Sequence, residues 1–138
     1  MKYYLDTNII IYLVKGKHPA IQEHLRHIPL HSIGVPSMVL AEIEYGVQKS
    51  NNYIKTKTKY SAYTNLFSSA SFSKKAAMYY GQIRGYLEKK GTPIGHNDMI
   101  IAATVLAEDG VLVTHNVKEF SRIPILRVVD WTEGNTIN

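Results

Sequence analysis

Four acids stand at widely separated places in this chain: Asp6, Glu42, Asp98 and Glu119. Asp6 closes the short apolar run Tyr3–Leu5, and Glu42 lies one turn into the helix expected after the run Ile33–Val35. Asp98 opens a helix expected to reach Glu108, and Asn116 and Glu119 follow the β-branched run that ends at Thr114. Open parallel sheets bind ligands outside the carboxyl ends of their strands. If the helix bearing Asp98 starts at that same edge, the four carboxylates meet there. Carboxylates sharing a cleft repel one another, and their charged forms are disfavoured unless something cationic sits between them. Mg2+ is usually held by one or two carboxylates plus water and substrate phosphate. One or two such ions can generate hydroxide and stabilise both oxygens of a phosphodiester displacement.

Each acid also admits a plain structural use. Asp6-Thr7-Asn8 is good helix-capping chemistry, and Asp98 in a first helical turn suits the helix dipole whatever else it does. Glu119 has Lys118 and Arg122 as local partners, and Glu44 competes with Glu42 as the solvated acid of its helix. His24, His27 and His31 invite a metal reading, but Pro29 interrupts their helical spacing.

The charge is unevenly spread. Between Tyr45 and Asn97 nine bases face Glu88 alone, a net +8, which leaves the remainder of the +5 chain at −3. A basic flank beside an acidic pocket suits a polyanion held by one part and worked on by another. Lysines on helix faces can also be simply solvated. Lys55, Lys57, Lys59 and Arg84 are the candidate contacts on the flank. Arg84 also stands four residues before Glu88, the spacing of an ordinary surface pair.

The elements that must position these residues follow from apolar patterning. At 138 residues, 45% hydrophobic and 20% charged, the chain has the composition of one globular domain, taken here as 1–138. No apolar run is long enough to span a membrane. The start, Met1 to Asp6, puts an acid where a signal peptide needs its apolar stretch. There is no cysteine, which excludes disulfides and thiolate sites and fits the cytoplasm.

Short strands are expected at Tyr3–Leu5, Ile33–Val35, Val111–Thr114 and Ile125–Val129. Helices are expected over Asn8–Val14 ended by Gly16, from Pro19 to before Pro29, over Met38–Gln48 capped by Ser37, and over Tyr53–Phe67. Two more are expected over Lys74–Lys90, between Ser73 and Gly91, and over Asp98–Glu108. Strands separated by helices imply right-handed crossovers and a parallel sheet covered on both faces.

The same residues carry a resemblance. Leu5-Asp6-Thr7-Asn8-Ile9, Glu42-Ile43-Glu44-Tyr45-Gly46, Tyr80-Gly81-Gln82-Ile83-Arg84, Ile94 to Ala103, Thr114 to Phe120 and Asp130-Trp131 stand in one order along nearly the whole chain. In these motifs the chain resembles the PIN-domain ribonucleases, and more closely the VapC toxins of toxin–antitoxin pairs. The resemblance implies an α/β fold with a five-stranded parallel sheet sandwiched by helices. It implies an endoribonuclease dependent on Mg2+ or Mn2+, acting on RNA such as tRNA and neutralised by a VapB-like antitoxin. By position it makes Asp6 and Asp98 the main metal ligands, with Glu42 and Glu119 as further catalytic carboxylates.

Thr7, Asn8 and Thr114 look like groups that hold those carboxylates in place. Asn116 stands where many relatives have an acid; without a charge, it is expected to orient Asp6 or a water. Ser71-Phe72-Ser73 replaces a strand-like run ending in Asp, so a short or missing edge strand is expected. The resemblance also implies a homodimer, and Tyr53, Tyr60, Tyr63, Phe67, Tyr79, Tyr80 and Tyr86 supply aromatic surface for one. Alternatively their rings belong to the core, with wet hydroxyls.

Other phosphate chemistries are poorly served. There is no Gly-rich Lys-Ser/Thr loop and no G-x-G-x-x-G. The rival function is a catalytically inactive PIN-like module that binds RNA or protein.

Overall fold

The computed structural model describes residues 1–133. Five three- or four-residue strands form one sheet: β1 Tyr3–Leu5, β2 Ile33–Pro36, β3 Ser68–Ala70, β4 Val111–Val113 and β5 Arg127–Val129. Their order is β3-β2-β1-β4-β5, and every pairing is parallel. Such pairings require crossovers, supplied by α1 (Thr7–Lys15), α2 (Pro19–Arg26), α3 (Ser37–Gln48), α4 (Tyr53–Thr64), α5 (Lys74–Lys90), α6 (His96–Ala107) and the short α7 (Val117–Phe120). Consecutive residues of β2 and β4 are all buried. Both faces of the central sheet are therefore covered, which is why these strands read as unbroken apolar runs.

The core runs from Leu5, Ile9, Ile10 and Leu13 through Val35, Val39 and Ile43 to the near-continuous buried face of α6, Met99 and Ile101–Val105. Tyr4 lies between Gly34 and Gly110, where an added Cβ would sit 2.7 Å and 2.5 Å from its ring. Any larger residue at either position would displace it.

The expected caps are present at α1 and α5. Gly16 and Gly91 close these helices at φ 69° and 71°, and the Ser73 hydroxyl accepts the Ala76 N–H. Several boundaries differ from expectation. Ser37 is the first residue of α3, not its cap; Pro36 ends β2 and leads straight into the helix with no side-chain cap. Helix α4 stops at Thr64, capped by Asn65, whereas α2 ends at Arg26, before Pro29 as expected. Strand β5 begins only at Arg127, because Ile125 is solvent-facing, 59% exposed, outside the ladder. Helix α6 starts at His96, so Asp98 is its third residue and not its first.

The edge strand is present and short. It lies at Ser68–Ala70, before the serines where it was sought, paired with Gly34–Pro36. Only Ala70 of the three is buried, so the run carries no apolar pattern to announce it. Among the described residues no helix is long and apolar enough to cross a membrane.

Candidate active site

Leu5 of β1 registers with Val113 of β4, so Asp6 and Thr114 leave the carboxyl edge side by side. Asp6 is 5% exposed. Its Oδ1 accepts the Thr7 N–H at 2.8 Å, and its Oδ2 accepts the Thr114 hydroxyl at 2.7 Å. The capping and functional uses of Asp6 are thus both met, one oxygen taking each bond. Burial raises the Asp6 carboxyl; the bonds from Thr114 and Thr7 oppose this, and the charge of Glu42 adds to it.

Helix α3 leaves the neighbouring strand at the same edge. One turn in, Glu42 accepts the Thr7 hydroxyl at 2.6 Å and, at 3.4 Å, the side-chain amide of Asn97. Glu44, two residues on, faces the other way. It is bound by Gln48, Tyr53 and Lys57, which hold its carboxyl below the usual range.

Asp98, in the first turn of α6, is half-buried and pushed up to about 6. Burial is the main cause, followed by the charges of Asp6, Glu42 and Glu119. The structure therefore brings the four predicted acids into one electrostatic unit. Among the described residues no Lys or Arg side chain forms an ion pair with any of the four carboxylates.

The supporting residues sort differently from expectation. Thr7 and Thr114 do hold carboxylates. Asn8 does not: it lies on the exposed side of α1 and its side chain makes no hydrogen bond among the described residues, whereas its neighbour Thr7 takes the inward position. Asn116 does not reach Asp6. Its side-chain amide donates to Glu119 at 2.9 Å, and its backbone N–H to Thr114 Oγ1 at 3.0 Å. Asn116 thus acts on Asp6 only through Thr114. Asn97 was missed, although it directly precedes Asp98 in the motif that singled out that acid.

The flank is less uniform than its charge. Residues four apart share a helix face and residues two apart do not. Lys55 and Lys59 therefore share one side of α4, and Lys57 points away to pair with Glu44. Arg84 pairs with Glu88 at 3.1 Å and also donates to the Tyr80 hydroxyl. Of the seven aromatic residues, Phe67 is buried and Tyr60, Tyr63, Tyr79 and Tyr80 pack partly against the core. Only Tyr53 and Tyr86 are exposed. His24 is buried and stacked on Trp131 at 5.2 Å, a packing role. Among the described residues no group of three or more His, Asp or Glu side chains is arranged so as to hold a metal ion.

A five-stranded parallel sheet with four acids gathered towards its carboxyl edge defines an α/β protein with an acidic site. Residues 3–126 match the PIN domain model. The chain is 41% identical over 135 residues to ribonuclease VapC2 of Rickettsia felis, covering 95% of this chain and 98% of that protein. It is 34% identical to the tRNA(fMet)-specific endonuclease VapC of Salmonella typhimurium, again over 95% and 98%. The crystal structure of VapBC2 from Rickettsia felis bound to a promoter DNA fragment superposes with a TM-score of 0.89 at 40% identity, covering 95% and 99%. The chain belongs to the PIN-domain family, and within it to the VapC ribonucleases.

Proposed function

We propose that this chain is the endoribonuclease toxin of a toxin–antitoxin pair, hydrolysing RNA with a divalent cation held at Asp6 and Asp98. The observation that carries this reading is the convergence of Asp6, Glu42, Asp98 and Glu119 without a neutralising base, which leaves Asp98 pushed up to about 6. The donors are all carboxylate oxygens, the set that Mg2+ or Mn2+ prefers. Mg2+ is usually held by only one or two protein carboxylates, with water and substrate phosphate filling the other positions. When bound, the cation neutralises the cleft, lowers the pKa of the attacking water and stabilises charge developing on the phosphate.

The chain's own residues do the rest. Thr114 and the Thr7 N–H fix the Asp6 carboxylate through both oxygens. Thr7 and Asn97 aim Glu42, and Asn116 aims Glu119. These bonds keep the acids from turning out to solvent. In this reading Glu42 and Glu119 take a proton from the attacking water or order it. Lys55 and Lys59 supply positive charge for the RNA backbone.

The names of the relatives extend the reading. The Salmonella protein is a tRNA(fMet)-specific endonuclease, and the Rickettsia structure is of a VapBC pair. tRNA is therefore the substrate proposed here, a VapB-like antitoxin the partner, a homodimer the assembly and the cytoplasm the place of action.

Cleavage of tRNA by the purified chain should require Mg2+ or Mn2+, stop with chelator, and leave a 5′-phosphate and a 3′-hydroxyl, because water and not the ribose 2′-hydroxyl attacks. Cyclic 2′,3′-phosphate products formed in chelator would sink the metal mechanism. Asp6→Asn should abolish growth inhibition while antitoxin binding persists. Growth inhibition undiminished in that variant would instead favour the binding-module reading.

A further inference from the structure

The carboxyl edge does not end at the acids. Val113 also registers with Val129 of β5, and the Thr114 N–H donates to the Val129 carbonyl at 3.0 Å. Asp130 therefore leaves β5 in line with Thr114 and Asp6. Between them projects His115, absent from every role assigned above. Its Nδ1 lies 3.0 Å from Asp130 Oδ2. An ionised carboxylate only accepts, so Nδ1 carries the proton; Thr132 Oγ1 lies 3.2 Å from the same nitrogen.

Asp130 is itself fixed. Thr132 donates to its Oδ1 from both hydroxyl and N–H, at 2.7 Å and 2.9 Å. The His115 side chain is nonetheless 50% exposed, against 19% for Asp130. The ring is thus anchored at one nitrogen with half of its side-chain surface exposed.

Two further rings complete the arrangement. His18 lies 5.7 Å from His115, and Tyr12 lies 4.6 Å from His18 and 6.1 Å from His115. His18 is held at φ 54°, a conformation uncommon outside glycine. Neither Tyr12 nor His18 is fully buried. Sequence separates the three rings by up to about a hundred residues, and the fold collects them one strand beyond Asp6. Unpaired bases of single-stranded RNA are bound by stacking on aromatic faces, His included.

We propose that His115, braced by Asp130 and backed by His18 and Tyr12, is a stacking platform for an unpaired nucleobase of the RNA next to the bond being cut. This rests on the reading that RNA occupies the acidic cleft. It makes His115 a substrate-contacting residue whose contact is through its ring face, with Asp130 a positioning residue.

The test reads binding without cleavage, in chelator, using an oligouridylate that carries one 2-aminopurine. Stacking of that base on the rings should quench its emission as the unaltered protein is added. His115→Gln keeps an N–H for Asp130 but has no ring, and should weaken binding about tenfold. His115→Phe keeps a ring face and should bind within about twofold of the unaltered protein. A flat titration with the unaltered protein overturns the proposal, as it would if the platform served a peptide instead. Equal binding by His115→Gln and the unaltered protein overturns it too, as does binding by His115→Phe no tighter than by His115→Gln. Should His115→Gln fail to fold, His115→Ala takes its place under the same expectations. Because no cleavage is read, a flat titration beside intact metal-dependent cleavage removes the platform alone. Quenching without any metal-dependent cleavage would instead remove the nuclease reading and leave the platform standing.

Discussion

At Asp98, burial and three neighbouring carboxylates push the carboxyl from 3.8 up to about 6. The sign of the consequence is fixed by linkage. Between these values the folded chain holds a proton on Asp98 that the unfolded chain has lost, so the Asp98 contribution to stability without metal is lost as pH rises from about 4 to about 6, and the raised Asp6 acts with the same sign. Asp98→Asn removes that proton site. The variant should gain on the unaltered protein across this window, by about 2 kcal/mol, when urea unfolding is compared near pH 4 and near pH 7 in chelator. Asp130 and Glu44, whose carboxyls are lowered, contribute with the opposite sign, and the comparison with the variant cancels them. A difference independent of pH would place the charge repulsion elsewhere. The same variant should cut RNA slower by orders of magnitude, with affinity held or raised because one negative charge beside the phosphates is gone.

Thr114 gives a second residue-scale test. Its hydroxyl donates to buried Asp6 and accepts from the Asn116 N–H. Thr114→Val keeps the shape and breaks both bonds, so it should cost about 1–3 kcal/mol of stability and depress cleavage. Thr114→Ser should restore most of both. Loss of stability with unchanged cleavage would show that Asp6 needs no such support.

Among the elements, α4 separates charge from function. Lys55 and Lys59 share a face, whereas Lys57 is paired with Glu44. Replacing Lys55 and Lys59 by Gln should weaken RNA binding and flatten its dependence on salt, with the cleaved bond unchanged. Lys57→Gln should do much less, because that charge is already partnered. Titration of RNA binding against salt for the two variants tests this; equal losses would mean that net charge alone matters. Helix α3 makes the same point for acids. Two residues apart on one helix, Glu42 turns to Thr7 and Glu44 turns to solvent and Lys57.

At the scale of the molecule, the chain divides into a −3 remainder that carries the four acids and a +8 middle. A dimer would join two flanks. The aromatic surface available to it is thinner than seven rings suggested, since only Tyr53 and Tyr86 among them are well exposed, with Met78 and Ile125 as further exposed apolar residues. A homodimer is still the proposed assembly. Light scattering at micromolar concentration should give twice the chain mass, and a single-chain mass would count against it.

Much of this was legible before folding. Asp6, Glu42 and Asp98 are singled out by their places after strands and at helix starts. Gly16, Ser73 and Gly91 end and begin helices by local backbone chemistry that needs no tertiary contact. Buried strands show as apolar runs because both their faces are covered. What does not show in a one-dimensional pattern is a contact between distant residues or an element without an apolar face. Edge strand β3 is Ser-Ser-Ala, and only its ladder with β2 makes it a strand. Asn8 and Asn97 are both short amides beside an acid; only the rotation of α1 and the start of α6 send one to solvent and the other to Glu42. The raised Asp98 carboxyl and the ring group at His115 likewise exist because parallel register sets Asp6, Thr114 and Asp130 on one edge. Register is a property of paired strands, and no single strand of three residues carries it.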